Sequence, residues 1–317
     1  MDARADHGVR RLLRVGRTVS DLPRALAFYR DALGFEAAGE IADAEPALAR
    51  LLGPARVRSA RLKLGIQEIE LLAFDPRGLA YPNGSTAADL WFQHIAVVTP
   101  DIDAAHRRAQ GHGSGAITSG GPQRLPPEAG SVTAFKFRDP DGHPVELIEF
   151  PRGAGASHWH RQHVSALTIG YDHSAINVAD VERSVAFYTR VLGMCEASRQ
   201  LNRSAEQDRL DGMHDVEVDV VALHPREVVT PHLELLAYHH PRGRAALEAP
   251  RPEDIASDRL VFEVANLDAL IEALEHAGSA DARPASVIAS DEFPDGSRAA
   301  LVRDPDGHLL MLCQEKP

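Results

Sequence analysis

The 317-residue sequence predicts an α+β protein assembled from four copies of one strand–helix–strand unit, and three observations carry that prediction. Residues 19–35, VSDLPRALAFYRDALGF, return at 178–194 as VADVERSVAFYTRVLGM, an offset of 159 positions. Residues 135–150, FKFRDPDGHPVELIEF, return at 300–315 as ALVRDPDGHLLMLCQE, an offset of 165. Within each half, a strand-like run, a helix-like run and further strand-like runs follow one another twice. The chain therefore divides into modules at about 10–75, 90–152, 168–240 and 256–317, with residues 1–152 and 166–317 as halves and 153–165 as their link.

The first and third modules open on the alternating runs RLLRVGRTV (11–19) and GYDHSAINV (170–178). A helix follows each, opened by Asp21 or Asp180, whose carboxylate accepts the free amide hydrogens of the first turn. Leu26, Tyr29 and Leu33 in one copy, and Val185, Tyr188 and Leu192 in the other, recur at helical spacing. Gly34 and Gly193 stand where the helices should end, a position that suits a left-handed backbone. Strands ending in IQEIELLAF (66–74) and HLELLAY (232–238) close these modules.

The second and fourth modules begin with FQHIAVV (92–98) and DRLVFEV (258–264). Helices are expected over 101–110 and 266–278, and a DPDGH turn then feeds each final strand, 139–150 and 304–314. The His-containing stretch 151–164 reads as a solvated connector, and its His158, His160 and His163 as connector residues rather than a metal site.

Composition narrows the function. A hydrophobic share of 44% and a charged share of 25% are those of an ordinary globular protein long enough for substantial cores. The formal net charge of −12, with no basic block, speaks against nucleic acid or an anionic membrane as partner. No apolar run approaches a membrane span and the first residues do not read as a secretory signal, so a cytoplasmic protein is expected. Two cysteines, Cys195 and Cys313, are too few for a disulfide framework, and buried thiols are expected.

The order of elements, the FYRDALGF-type helix end and the DPDGHPVELIEF-type final strand resemble the vicinal oxygen chelate superfamily, which includes glyoxalase I, extradiol dioxygenases and bleomycin resistance proteins. The resemblance covers almost the whole chain. It implies βαβββ modules paired so that curved sheets enclose two clefts. It also implies a divalent metal held by one residue from the first and one from the last strand of each module. At those positions stand Arg14 and Glu70, His94 and Glu146, His173 and Glu234, and Arg259 and Met311. Arginine has no acceptor with which to ligate a cation, and methionine is a soft ligand.

Two pairings are open. Consecutive modules would give one cleft with Glu70, His94 and Glu146 and another with His173 and Glu234. Exchanged pairing, second with third and first with fourth, gathers His94, Glu146, His173 and Glu234 into one metal site and leaves the other cleft dead. The exchanged pairing is favoured because it collects both candidate histidine ligands.

Two imidazoles and two carboxylates suit one divalent metal, Zn, Ni, Co or Mn. The resemblance then implies a glyoxalase-like isomerase, epimerase or lyase acting on an α-oxygenated carbonyl compound, with Glu146 or Glu234 as catalytic base. An Fe(II) extradiol dioxygenase is the first alternative, and a metal-free small-molecule binding protein the second. Trp91 beside His94, and Asn202, Gln207 and Arg209 in a polar loop over the cleft, are candidate substrate contacts. His143 and His308 follow the DPDG turn in intact and degenerate modules alike, which marks them as turn residues. The expected partner is a small-molecule substrate, and a monomer or a homodimer is equally coherent.

Overall fold

The computed structural model describes residues 8–160, 166–226, 228–246, 248–277 and 285–316. The first module comprises β1 (Val9–Thr18), α1 (Leu22–Leu33), α2 (Pro46–Leu52), β2 (Arg56–Leu64) and β3 (Gln67–Asp75). The second comprises β4 (Gln93–Val98), α3 (Ile102–Gly111), β5 (Thr133–Arg138) and β6 (Pro144–Glu149). In the third are β7 (Gly170–Asn177), α4 (Val181–Ala186), β8 (Cys195–Asn202), α5 (Ala205–Asp211), β9 (Glu217–His224) and β10 (His232–His240). The fourth holds β11 (Asp258–Val264), α6 (Leu267–Ala277), β12 (Ser286–Glu292), β13 (Arg298–Arg303) and β14 (Leu309–Gln314).

Local chemistry sets these boundaries. Asp21 and Asp180 accept from the backbone N–H of Arg24 and Arg183, each at 3.0 Å, and so start α1 and α4. Gly34 and Gly193 take φ of 74° and 72°, the left-handed geometry that ends a helix. The two copies diverge between those points. Whereas α1 runs regularly to Leu33, α4 passes at Phe187–Val191 into a wider π turn.

The modules pair in exchange. One sheet runs β12-β13-β14-β11-β1-β3-β2, joining the fourth module to the first, and the other runs β8-β9-β10-β7-β4-β6-β5, joining the third to the second. The seams are antiparallel, β1 with β11 and β4 with β7, while opening and closing strands of one module are parallel. The main helices bury their apolar faces in one shared core between the sheets, with Phe28, Tyr29, Leu33, Phe135, Tyr188 and Leu270 among its members.

Consecutive modules meet in this core and also through their turns. The Tyr29 hydroxyl donates to Asp139 and the Tyr188 hydroxyl to Asp304, both at 2.9 Å. His143 Nε2 donates to the Thr18 carbonyl, and His308 Nε2 to that of Asn177. Both histidines are buried, as parts of the turns.

Two expectations need correction. The connector is not solvated at its centre: Ser157–His160 forms a short 3-10 turn and Trp159 packs against Ala96, Val98 and Ile148. His158 lies against the Trp159 ring and His160 is exposed, while His163 falls outside the described residues. Cys195 is exposed rather than buried, because it begins β8 at the edge of its sheet. Among the described residues, no helix is long and apolar enough to cross a membrane.

Candidate functional site

Glu234, His173, His94 and Glu146 stand on β10, β7, β4 and β6, four adjacent strands of one sheet. In the registers, Ala175 is the partner of both His94 and Glu234, and Ala96 the partner of both His173 and Glu146. Two alanines thus lie at the centre of a two-fold pattern, and their small side chains leave room for the four larger ones.

The four side chains line one cleft with a cavity of about 200 Å³. His94 Nε2 lies 2.9 Å from Glu146 Oε2, and His173 Nε2 lies 3.4 Å from Glu234 Oε2. The His94 and His173 rings are 5.7 Å apart. One ligand atom each from His94, Glu146 and His173 falls within a mutual 4.8 Å, whereas Glu234 leans away towards His232, its Oε1 3.6 Å from His232 Nε2.

The electrostatics suit a cation. Burial holds His94 below the ordinary histidine range although Glu146 pulls it up, which favours the neutral ring with one nitrogen lone pair to offer. His173 resists burial because Glu234 and Asp172 raise it to about 9. Burial pushes Glu234 up, but His173 and His232 outweigh it and lower it to about 2. Glu146 is likewise pushed up by burial and held down by Lys136 and His94. The Lys136 ammonium, 4.0 Å from Glu146, donates to Asp211 at 2.7 Å.

Of the expected substrate contacts, Asn202 and Gln207 line this cleft and bond to each other at 3.2 Å. Arg209 does not: it bonds Gln123 and Glu206 at the periphery. Their segment is not a loop, because Ser204 caps a helix, α5, by accepting from the Gln207 N–H. Trp91 belongs to a different cavity, with Gln93, Ser257 and His308, and carries the Arg244 guanidinium over its ring. It precedes β4, so the strand that delivers His94 does not deliver it.

The sequence reading missed Lys136, Asp172 and His232. His232 was accessible to it, since residues two apart on a strand share a face and Glu234 is a candidate ligand. Lys136 required the register that sets it opposite Glu146. Asp172 was not legible, because alternation places it opposite to His173; a register shift between Tyr171 and His173 brings both into the cleft.

The corresponding face of the other sheet is closed. Leu48, Leu51 and Leu52 of α2 pack there with Val261, Leu301 and Met311. Arg259 is fully buried beside Gly16, and Glu70, only 2% exposed, is held by Arg14 at 3.6 Å and Arg61 at 3.3 Å. Arg14 and Arg259 stand there at the strand positions that carry His94 and His173 in the open cleft.

Comparison with known proteins bears on the whole architecture. A 187-residue stretch is 26% identical to lactoylglutathione lyase of Arabidopsis thaliana, covering 58% of this chain and 55% of that protein, so the match spans about half of the relative's length. Glyoxalase I from Zea mays superposes with a TM-score of 0.62 at 18% identity, over 96% of this chain and 92% of that one. A single-substitution mutant of the same maize enzyme gives 0.65 at 19% over the same shares. A putative dioxygenase from Bacillus subtilis gives 0.58 at 10%, over 98% and 86%. These solved structures establish likeness of fold. The family pattern itself matches twice, over residues 11–147 and 170–312, and the chain belongs to the Glyoxalase/Bleomycin resistance protein/Dioxygenase superfamily.

Proposed function

We propose that this chain is a metal-dependent lyase, isomerase or epimerase that removes a proton beside the carbonyl of a small oxygenated substrate. One observation carries the reading: His94 is 1% exposed, and among the described residues neither of its ring nitrogens has a hydrogen-bond partner. The 2.9 Å approach to Glu146 is out of hydrogen-bond line. A buried polar group without a partner is costly, and a cation would supply the partner. His94, Glu146, His173 and Glu234 would hold it, and the donor set of imidazole nitrogens and carboxylate oxygens fits Zn, Ni, Co or Mn. When bound, such a cation polarises a substrate carbonyl and stabilises the negative charge left by deprotonation.

The chain's own residues divide the remaining work. Glu146 faces Lys136 as well as His94 and is 8% exposed, so it is held in place. Glu234 is 20% exposed and, among the described residues, its close charged contacts are the imidazoles of His173 and His232, which makes it the less firmly held carboxylate of the four-residue set and the better placed general base. The ammonium lining the cleft, Lys136, is already bonded to Asp211. A small uncharged hydroxycarbonyl compound therefore matches the cavity better than a multiply anionic adduct does.

The test is metal content of protein purified without chelator, with His94→Ala and His173→Ala alongside, followed by solvent-deuterium exchange into a panel of α-hydroxyketones and hemithioacetals. About one metal per chain, lost in both variants, with exchange in at least one substrate, is the expected result. No metal under any loading condition would overturn the proposal and favour a metal-free binding protein.

One further observation favours a second reading. His94, His173 and Glu146 form a compact two-histidine, one-carboxylate group without Glu234, the donor set of a non-haem Fe(II) oxygenase. Oxygen uptake with catechols after anaerobic Fe(II) loading, together with absent deuterium exchange, would select the dioxygenase.

A further inference from the structure

We propose that Asp172, His173 and His232 form a second, outer seat for a divalent transition-metal cation, adjoining the seat proposed above and sharing only His173 with it. It rests on that reading through His173 alone; its other donors are different side chains.

Backbone geometry creates the group. The register shift between Tyr171 and His173 turns Asp172 into the cleft beside His173. On β10, His232 is the direct register partner of His173 and shares its strand face with Glu234. Asp172 Oδ2 lies 3.2 Å from His173 Nδ1 and 3.7 Å from His232 Nδ1, and one donor atom from each residue falls within a mutual 4.8 Å.

Two observations separate this group from an ordinary buried polar cluster. His232 is 8% exposed, yet among the described residues its Nδ1 has no hydrogen-bond partner. The carboxylate of Asp172 is fixed by a 2.9 Å hydrogen bond from the Trp159 indole to its other oxygen, which leaves Oδ2 aimed at the imidazoles. The charge balance agrees. Lys136 is matched by Asp211, so Glu146, Glu234 and Asp172 face the imidazoles of His94, His173 and His232 with, among the described residues, no other lysine or arginine lining the cleft.

The four imidazoles form a row. His94, His173, His232 and His224 sit on β4, β7, β10 and β9, with successive rings 5.7, 5.3 and 5.3 Å apart. His224 is only half-buried, and the row thus leads from solvent to the inner seat. His173 turns Nδ1 to the outer group and Nε2 to Glu234. A neutral imidazole has a lone pair on one nitrogen at a time, so a single cation occupies one seat or the other. The outer seat is its way in.

The decisive experiment titrates Co(II) alone into the metal-free full-length protein and three variants. Binding is read by calorimetry and by visible absorption, and folding by circular dichroism and thermal unfolding. His94→Ala with Glu146→Gln removes the inner seat and is expected, although it loses its metal on purification, to take up about one cobalt per chain when cobalt is titrated back, more weakly than wild type and with a changed spectrum. Adding His232→Ala to that pair is expected to abolish binding, and His232→Ala alone to leave one inner cobalt. A folded His94→Ala/Glu146→Gln protein that binds no cobalt would overturn the outer seat, and so would undiminished binding after His232→Ala is added. Wild type that still binds one cobalt in those cases leaves the proposed function standing. Wild type that binds none would sink both.

Discussion

Gly16 is the residue that most plainly separates the two halves of the molecule. A methyl group built there would stand 3.0 Å from Arg259 Nε and 3.2 Å from one of its terminal nitrogens. At the matching point of the other sheet, Ala175 lies beside His94 without difficulty. Glycine on one side admits a buried guanidinium, whereas alanine on the other accompanies an imidazole. Gly16→Ala is therefore expected to destabilise the protein by about 1–3 kcal/mol through overpacking, read as a lower urea midpoint at unchanged slope. Metal content should not change, because Gly16 lies on the other sheet. The cysteines give a second check at this scale. Burial raises the Cys313 thiol to about 11, with Arg14 pulling down and Glu70 pushing up. Near pH 8 the folded protein should alkylate at the exposed Cys195 and spare Cys313, and both should label in denaturant.

Helix α2 decides which cleft is open. Pro46 begins it and the Glu45 carboxylate accepts from the N–H groups of Ala47 and Leu48, which gives a seven-residue helix a defined start. Its leucines fill the face that bears Arg14, Glu70, Arg259 and Met311. Leu51→Ala is expected to cost about 2–5 kcal/mol, visible in chemical denaturation, while the metal content proposed for the His94 cleft stays that of wild type. The distinction between an intact and a degenerate cleft was readable in the sequence from the positions of His94, His173, Arg14 and Arg259. The plug was not, since residues 46–52 belong to neither repeated stretch. Helix α5 had left a trace, a serine at 204 followed three residues later by Gln207, which is a capping pattern. The polar composition of 201–212 obscured it. The strand runs were legible because alternation survives wherever one face is buried, and alternation failed at Asp172, where the register shifts.

Two connecting segments tie the whole molecule together with the symmetry of the repeats. Between the first and second modules, Asp89 accepts from the Arg244 backbone and guanidinium; between the third and fourth, Asp254 accepts from the Leu79 backbone. Asp89 is pushed up by burial, but Arg244 and the Thr86 N–H outweigh that and hold it below its ordinary value. A carboxylate lowered by folding stabilises the protein above its unfolded pKa and loses that contribution as pH falls through the folded value. Asp89→Asn should therefore melt earlier than wild type at neutral pH, and the gap should close under acid conditions.

The exchanged sheets also impose an order on synthesis. Val9 of β1 pairs with Val264 of β11, and His94 of β4 sits opposite Ala175 of β7. When the first half leaves the ribosome, β1 and β4 each present an unsatisfied strand edge whose partner has not been made. Neither sheet can close before the ribosome has passed well into the second half, and β1 must wait for some 250 residues of chain, a long-range closure of the kind that slows folding. The nascent N-terminal half is thus the species most exposed to aggregation and most in need of a chaperone's shelter.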